Sequence, residues 1–395
     1  MIYSFGARNF YSFREGMRVS FELNSKVPKS ISKGAKVSNV LGVKGANASG
    51  KTNILKCLNF LASFISESFK WDSERDPIDY ISFFCNDEPS DVYIDFEVEG
   101  VRYIYEAEFT MQRVLRETLY RKVSRRTKIY ERVGDEIKYR SAEYSVLDII
   151  VPKSTASLIS TFVMYKFKGQ GVGDELRSIH SYFSSFRSNV FSVGVHGDDV
   201  FTRELASKYY AEYPDALDFV SDLIKRCDIG ISSIELHESQ SPEKGEDEKD
   251  YMPFFTHDVE SVPAGQRWLT AWDQSSGTMA LYRHLVMYWE VLQVGGVLIM
   301  DEFDIHCHSM VLPVLVNLFD DPIINPHSAQ FIFTAHSSAI MDHLGKYRTI
   351  LVGKTKGESF CYRLDEIPGD LIRNDRSISA LYREGKIGGV PKIDG

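Results

Sequence analysis

Over the first forty residues, short apolar runs alternate with polar breaks at Phe10 to Phe13, Val19 to Leu23 and Val37 to Val43. This is the pattern of short strands. From Asn53 to Ile65 the period lengthens, with Ile54, Leu55, Leu58, Leu61, Ala62 and Ile65 at helical spacing, which predicts an amphipathic helix behind a glycine-rich loop. Residues Val92 to Thr110 alternate on either side of Glu99-Gly100, predicting an antiparallel hairpin. Between Gly169 and Asp228 the texture is helical, and Ser241 to Asp250 is a charged run that predicts a mobile loop. Beyond it, strand and helix patterns alternate to the end, predicting an α/β fold with a parallel sheet flanked by helices. The apolar run Val291 to Met300 reads as a buried strand, about half of what a bilayer span needs.

The order of these patterns divides the chain into 1–165, a mixed β part containing the glycine-rich loop; 166–255, a mostly helical insert with the acidic loop; and 256–395, the strand and helix alternation. With 46 Lys+Arg against 55 Asp+Glu, the formal charge of −9 excludes a surface that coats nucleic acid as a whole. Any such contact must be local, and Arg113 to Arg132 offers one, with eight basic residues against two acidic. Five scattered cysteines without a C-x-x-C pair argue against a disulfide framework or zinc cage. Together with an N-terminus lacking a signal-peptide pattern, they predict a cytoplasmic protein with no membrane segment.

Gly45-Ala46-Asn47-Ala48-Ser49-Gly50-Lys51-Thr52, followed by Asn53, satisfies the G-x-x-x-x-G-K-[ST] pattern between a strand and a helix. The glycines let successive N–H groups curl around phosphate, and the helix start adds its positive dipole end. Lys51 is expected to reach the β- and γ-phosphates of ATP, and Thr52 to ligate Mg²⁺. Downstream, the apolar strand Gly296 to Met300 ends in Asp301-Glu302. Alone, this is as well read as a solvated strand end; beside a P-loop, Asp301 suits a Mg²⁺ ligand and Glu302 suits activation of the attacking water. His306 and His308 follow closely, but four donors on one short turn diverge, which argues against a separate transition-metal site.

Gln274-Ser275-Ser276-Gly277-Thr278 precedes an apolar helical stripe, so Ser275 and Gly277 open a helix. By themselves they read better as a simple N-cap. His336 ends the apolar strand Phe331 to Thr334, where a structural role is the ordinary reading. The order P-loop, insert, Ser-x-Gly-Thr helix, Asp-Glu and His resembles the ATP-binding-cassette heads of RecF, SMC and overcoming-lysogenisation-defect ATPases. Arg8-Asn9-Phe10-Tyr11-Ser12-Phe13, and the tail from Ile378 to Pro391 with Tyr382, Gly385, Gly388 and Gly389, resemble the AAA_15/AAA_21-type bacterial ATPases. Such proteins serve as the ATPase half of phage-defence systems such as PARIS, RloA and AbiL.

The resemblance implies an ABC-type head that hydrolyses ATP, using Lys51, Glu302 and a switch His336. It also implies a homo-oligomer with ATP held at subunit interfaces between one P-loop and the Ser275-Gly277 signature of the other chain. Asp304 resembles the start of the D-loop. No Q-loop glutamine is identifiable between the P-loop helix and the hairpin. The chain shows no TOPRIM or HNH nuclease set, so the expected partner is a separate effector, a nuclease or toxin, docked on the acidic loop or the basic hairpin. The alternative is a RecF-like DNA-binding ATPase contacting DNA through 121–128. A transporter head and a small-molecule kinase fit the insert and the signature helix less well.

Overall fold

The computed structural model describes all residues except 26, 72–77, 168–172, 192–193, 196–201, 228–229, 240–248, 306, 370, 374–375 and 391–395. In chain order, strands β1 (Ile2–Arg8) and β2 (Met17–Ser20), a short helix α1 (Lys29–Ser32), β3 (Val40–Gly45) and α2 (Lys51–Ser66) come first. An antiparallel run follows: β4 (Ser90–Val98), β5 (Val101–Phe109), β6 (Val114–Lys122), β7 (Arg126–Val133) and β8 (Glu136–Arg140). Next come α3 (Leu158–Val163), α4 (Asp174–Ser184), β9 (Arg187–Ser188), β10 (Val190–Phe191), β11 (Gly194–Val195), α5 (Arg203–Glu212) and α6 (Pro214–Cys227). Strands β12 (Ile231–Ser239), β13 (Asp250–His257) and β14 (Trp268–Thr270) lead to α7 (Ser276–Val294) and β15 (Val297–Met300). The chain ends with α8 (Leu312–Asp320), β16 (Gln330–Thr334), α9 (Ile340–Leu344), β17 (Thr349–Thr355), β18 (Glu358–Arg363) and α10 (Ile378–Arg383).

Two large sheets result. One is antiparallel, in the order β2-β1-β4-β5-β6-β7-β8; the other is β18-β17-β3-β16-β15-β9, parallel throughout except for the edge strand β18. A three-stranded sheet, β12-β13-β14, and a two-stranded one, β10-β11, are also formed. Helix α2 lies between the two large sheets and buries Ile54, Leu55, Leu58, Leu61 and Ile65 in one core with Phe5, Ile94, Phe96 and Tyr105. Leu41, Val43, Val297 and Ile299 face this core, whereas Val40, Leu298, Met300, Phe331 and Phe333 face a second core built with α7 and α8. The parallel strands are therefore apolar on both faces, which is why they read as unbroken runs rather than alternations.

The run from Val291 to Met300, read from the sequence as one buried strand, is two elements. Val291 to Val294 finish α7, Gly295 ends the helix in a left-handed conformation (φ 73°), and the strand begins at Val297. Apolarity alone does not separate a helix end from a strand. Residues 166–255 contain helices α4 to α6 and also strands, and β9 joins the edge of the parallel sheet beside β15. The acidic stretch 241–248 lies outside the described residues, as do His306 and Pro391.

Candidate nucleotide site

The site is assembled at the C-terminal ends of β3, β15 and β16, where a parallel sheet opens toward ligands. The loop after β3 leads straight into α2. Its N-cap is Gly50 at φ 108°, and no side chain caps the helix. The Asn53 N–H turns back to the Gly50 carbonyl (3.1 Å), while those of Lys51 and Thr52 are left to a ligand. A side chain at Gly50 would press on the hydroxyls of Ser359 and Ser12 at 2.6 and 2.8 Å, so the turn requires glycine on steric as well as conformational grounds. Those hydroxyls brace the loop: Ser359 donates to the Ser49 carbonyl (2.6 Å) and is hydrogen-bonded to the Ser12 hydroxyl (2.8 Å), which also accepts from the Asn53 amide (2.8 Å). The Asn-Phe-Tyr-Ser-Phe opening therefore supports the P-loop from beneath.

Lys51 Nζ donates to the Ala46 carbonyl at 2.9 Å, curled over its own loop. Burial lowers its pKa, and Asp301 and Glu302 pull it back up. Thr52 donates its hydroxyl to Asp301 Oδ2 at 2.6 Å. The register of β15 on β16 places Met300 opposite Phe333, and hence Asp301 beside Thr334. The Thr334 hydroxyl donates to Asp301 Oδ1 and accepts the Glu302 N–H at 2.7 Å. Glu302 sits at φ 51°, a left-handed conformation rarely adopted by a non-glycine residue, and such strain concentrates at functional sites. His336 Nε2 lies 3.0 Å from Glu302 Oε1.

Thr52 and Asp301 supply two hard oxygens at one point, the donor set through which Mg²⁺ is held together with phosphates and water. The open helix start, and a buried Ser49 hydroxyl without a partner among the described residues, fit phosphate on the other side. Lys51, Thr52, Asp301, Glu302 and His336 are therefore brought together. Ser275 and Gly277 stand apart at the start of α7, where Ser275 is the N-cap and accepts the Thr278 N–H at 3.0 Å.

A family model described as "AAA domain, putative AbiEii toxin, Type IV TA system" matches residues 40–161 and 165–342. The chain belongs to this family, AAA_21. The match takes in the P-loop, Ser275, the Asp-Glu pair and His336. Among solved structures, the SMC head domain from Thermotoga maritima is similar at 14% identity and a TM-score of 0.43, covering 92% of this chain and 98% of that one. No curated protein matches the sequence.

Three residues of this AAA_21 site, Asn189, Thr334 and Lys44, have no sequence motif to announce them, and a fourth, Asp304, is marked in the sequence only by its resemblance to the start of a D-loop. Asn189, just past β9, clasps the Asp301 backbone: its Nδ2 donates to the carbonyl (3.0 Å) and its Oδ1 accepts the N–H (2.8 Å). Thr334 pins both acids as described. Asp304 accepts the N–H groups of His336 (2.9 Å) and Ser337 (2.7 Å), and Lys44 donates to the carbonyls of Ala335 (2.8 Å) and His336. Asn189, Thr334 and Lys44 reach the site only through cross-strand register.

The basic stretch forms the β6–β7 hairpin, and the fold partners most of its charges. Arg121 pairs with Glu175 (2.5 Å), Lys122 with Asp95 (3.3 Å), Arg126 with Glu106 (2.6 Å) and Lys128 with Glu131 (2.5 Å). Arg132 and Glu117 form a fully buried pair (3.4 Å). Arg125, in the exposed turn, has no ion-pair partner among the described residues. Among the described residues, no group of three or more His, Cys, Asp or Glu could hold a metal ion, and no helix is long and apolar enough to cross a membrane.

Proposed function

We propose that the chain binds ATP with Mg²⁺, hydrolyses it, and uses the cycle to engage a second copy of itself. The observation that carries this reading is the convergence of Thr52 and Asp301, 2.6 Å apart, with the His336–Glu302 pair at the end of one parallel sheet. Bound Mg²⁺ would be held by Thr52 and Asp301 and would neutralise charge on the transferred phosphate. Lys51 exchanges the Ala46 carbonyl for phosphate oxygens. Glu302 orients a water and accepts its proton, and His336, hydrogen-bonded to the same carboxylate, fixes its direction.

A second copy is favoured by the geometry of α7. Its 19 residues span about 28 Å. The four-residue strand that returns to Asp301 covers only about 13 Å. The Ser275 end thus projects roughly 15 Å past the strand ends by the same rises, too far to cap phosphate bound by its own P-loop, and it is exposed. In this reading it serves the nucleotide of the facing copy. The family description, a toxin of a toxin–antitoxin system, supports a place in bacterial defence, where the nucleotide state would hold or release an effector acting in trans.

Phosphate release from ATP and Mg²⁺ by the purified protein is the test. Glu302→Gln is expected to keep ATP binding, to lower turnover by orders of magnitude and to accumulate an ATP-dependent dimer, whereas Lys51→Ala loses ATP binding. Undiminished turnover by Glu302→Gln would refute the assignment. The DNA-binding alternative receives little electrostatic support, because the hairpin charges that would meet phosphate already face carboxylates.

A further inference from the structure

Two peptide groups flank His336, and each is gripped at both ends. The carbonyls of Ala335 and His336 accept hydrogen bonds from Lys44 Nζ, the first at 2.8 Å. The N–H groups of His336 and Ser337 donate to the two oxygens of Asp304, at 2.9 and 2.7 Å. A trans peptide directs its C=O and N–H to opposite sides. A cation on one side and a carboxylate on the other therefore fix both peptide planes, and with them the backbone torsions of His336. What they hold in register is the ring whose Nε2 meets Glu302 Oε1 at 3.0 Å.

Lys44 occupies an expensive place for a charge. It lies on β3 immediately before Gly45, only 5% exposed, and an ammonium is buried only where something compensates it. Its neighbours do so: besides the two carbonyls, the Asp304 charge lies nearby and the Tyr382 ring stands 5.6 Å away. Tyr382 belongs to the tail motif, which has no other role in the site. Its hydroxyl donates to the Gly389 carbonyl at 2.9 Å. Gly389 takes a left-handed conformation (φ 72°) that favours glycine, and there the tail lies against Tyr382 and the Gly45 backbone at the base of the P-loop. The tail thus covers Lys44, keeping water from competing for the two carbonyls.

We propose that Lys44 is a positioning residue for ATP hydrolysis: together with Asp304 it clamps the peptide groups on either side of His336, so that the imidazole meets Glu302 in the geometry turnover requires. This rests on the ATPase reading above. It assigns Lys44 no contact with nucleotide, in contrast to Lys51, seven residues further along.

The test combines turnover with a measurement on nucleotide-free protein. Lys44→Met is expected to lower kcat on the order of 10- to 100-fold, the cost of a catalytic group displaced by a fraction of a bond length to an ångström, while KM stays within about twofold. In the Lys44→Met/His336→Ala double variant the losses do not multiply, because both act through one group. In the absence of nucleotide, Lys44→Met accelerates amide hydrogen exchange at His336 and Ser337. Should Lys44→Met fail to fold, Asp304→Asn applies the same three readouts from the opposite side of the loop. Wild-type turnover by the variant, a KM that rises in step with the fall in kcat, or multiplying losses in the double variant would overturn the proposal. If the unmodified protein does not hydrolyse ATP, it is the ATPase reading that fails; the exchange measurement then still decides the clamp, which unchanged protection in Lys44→Met would refute.

Discussion

Thr334→Val separates the shape of a core residue from its hydrogen bonding at the point where both acids of the site are held. The side chain is fully buried, and valine fills nearly the same volume, so packing is preserved. Two bonds disappear. The hydroxyl no longer donates to Asp301 Oδ1, a bond to a charged acceptor of the kind that contributes about 1.5–3 kcal/mol, and it no longer accepts the Glu302 N–H, whose loss costs about 1–3 kcal/mol if the group stays unsatisfied. Glu302 is half-exposed, so water relieves part of the second loss. The expected destabilisation is therefore about 3 kcal/mol, measured as a shift in urea midpoint on nucleotide-free protein, with Thr334→Ser, which retains the hydroxyl, as the control. Turnover should fall as well, since the strained Glu302 backbone at φ 51° loses the bond that holds it. A Thr334→Val protein within about 0.5 kcal/mol of wild type, the range of an uninvolved site, would show that this hydroxyl does not hold the acids.

Ser275→Arg is expected to block hydrolysis without preventing nucleotide binding to the subunit that carries it, and mixing it with Lys51→Ala subunits should restore some turnover from composite sites; full activity of Ser275→Arg alone would refute the two-copy arrangement. A pH profile tests Lys44. Burial lowers its pKa from 10.5 to about 8, with Asp304 opposing the shift and Lys51 adding to it, and Tyr382 and His336 completing the groups that face it. Turnover should fall as pH rises through about 8, as the clamp loses its charge. Stability should move the other way: the unfolded chain binds the extra proton between pH 8 and 10.5, so the contribution of this group to folding improves across that window. Both trends should vanish in Lys44→Met.

The P-loop was legible because its chemistry is contiguous: eight residues carry the glycines, the lysine and the hydroxyl, and a strand and a helix lie on either side. Asp301 and Glu302, at the tip of an apolar strand, were legible because a P-loop stands in the same chain. The residues that orient them were not. Thr334 reaches Asp301 only through the register that sets Met300 against Phe333, and Asn189 reaches it across 112 positions because Leu298 and Ile299 pair with Arg187 and Ser188. Neither pairing leaves a local trace, since the strands are apolar on both faces and so carry no alternation to fix which neighbour lies where. Charge counting has a related limit on the β6–β7 hairpin. Its excess of basic residues is a property of the segment, whereas the carboxylates that neutralise it come from β4, β5 and α4, which the fold alone brings alongside.

The Asn189 clasp gives residues 166–255 a bearing on the chemistry that their composition would not suggest. Strand β9 adds only two residues to the parallel sheet, yet the amide after it takes both backbone groups of Asp301, the residue whose carboxylate already receives Thr52 and Thr334. Asp301 is thus held from three separate parts of the chain, and one of them, Asn189, reaches it through the docking of β9. Helices α5 and α6 follow β9 in sequence and pack against α7, the helix that presents Ser275. A displacement of this segment would therefore act at two places, loosening the backbone of Asp301 and re-aiming the helix that begins at Ser275. Strand β9 also meets α7 directly, where Arg187 pairs with Glu290 at 2.6 Å, so the coupling has a physical path.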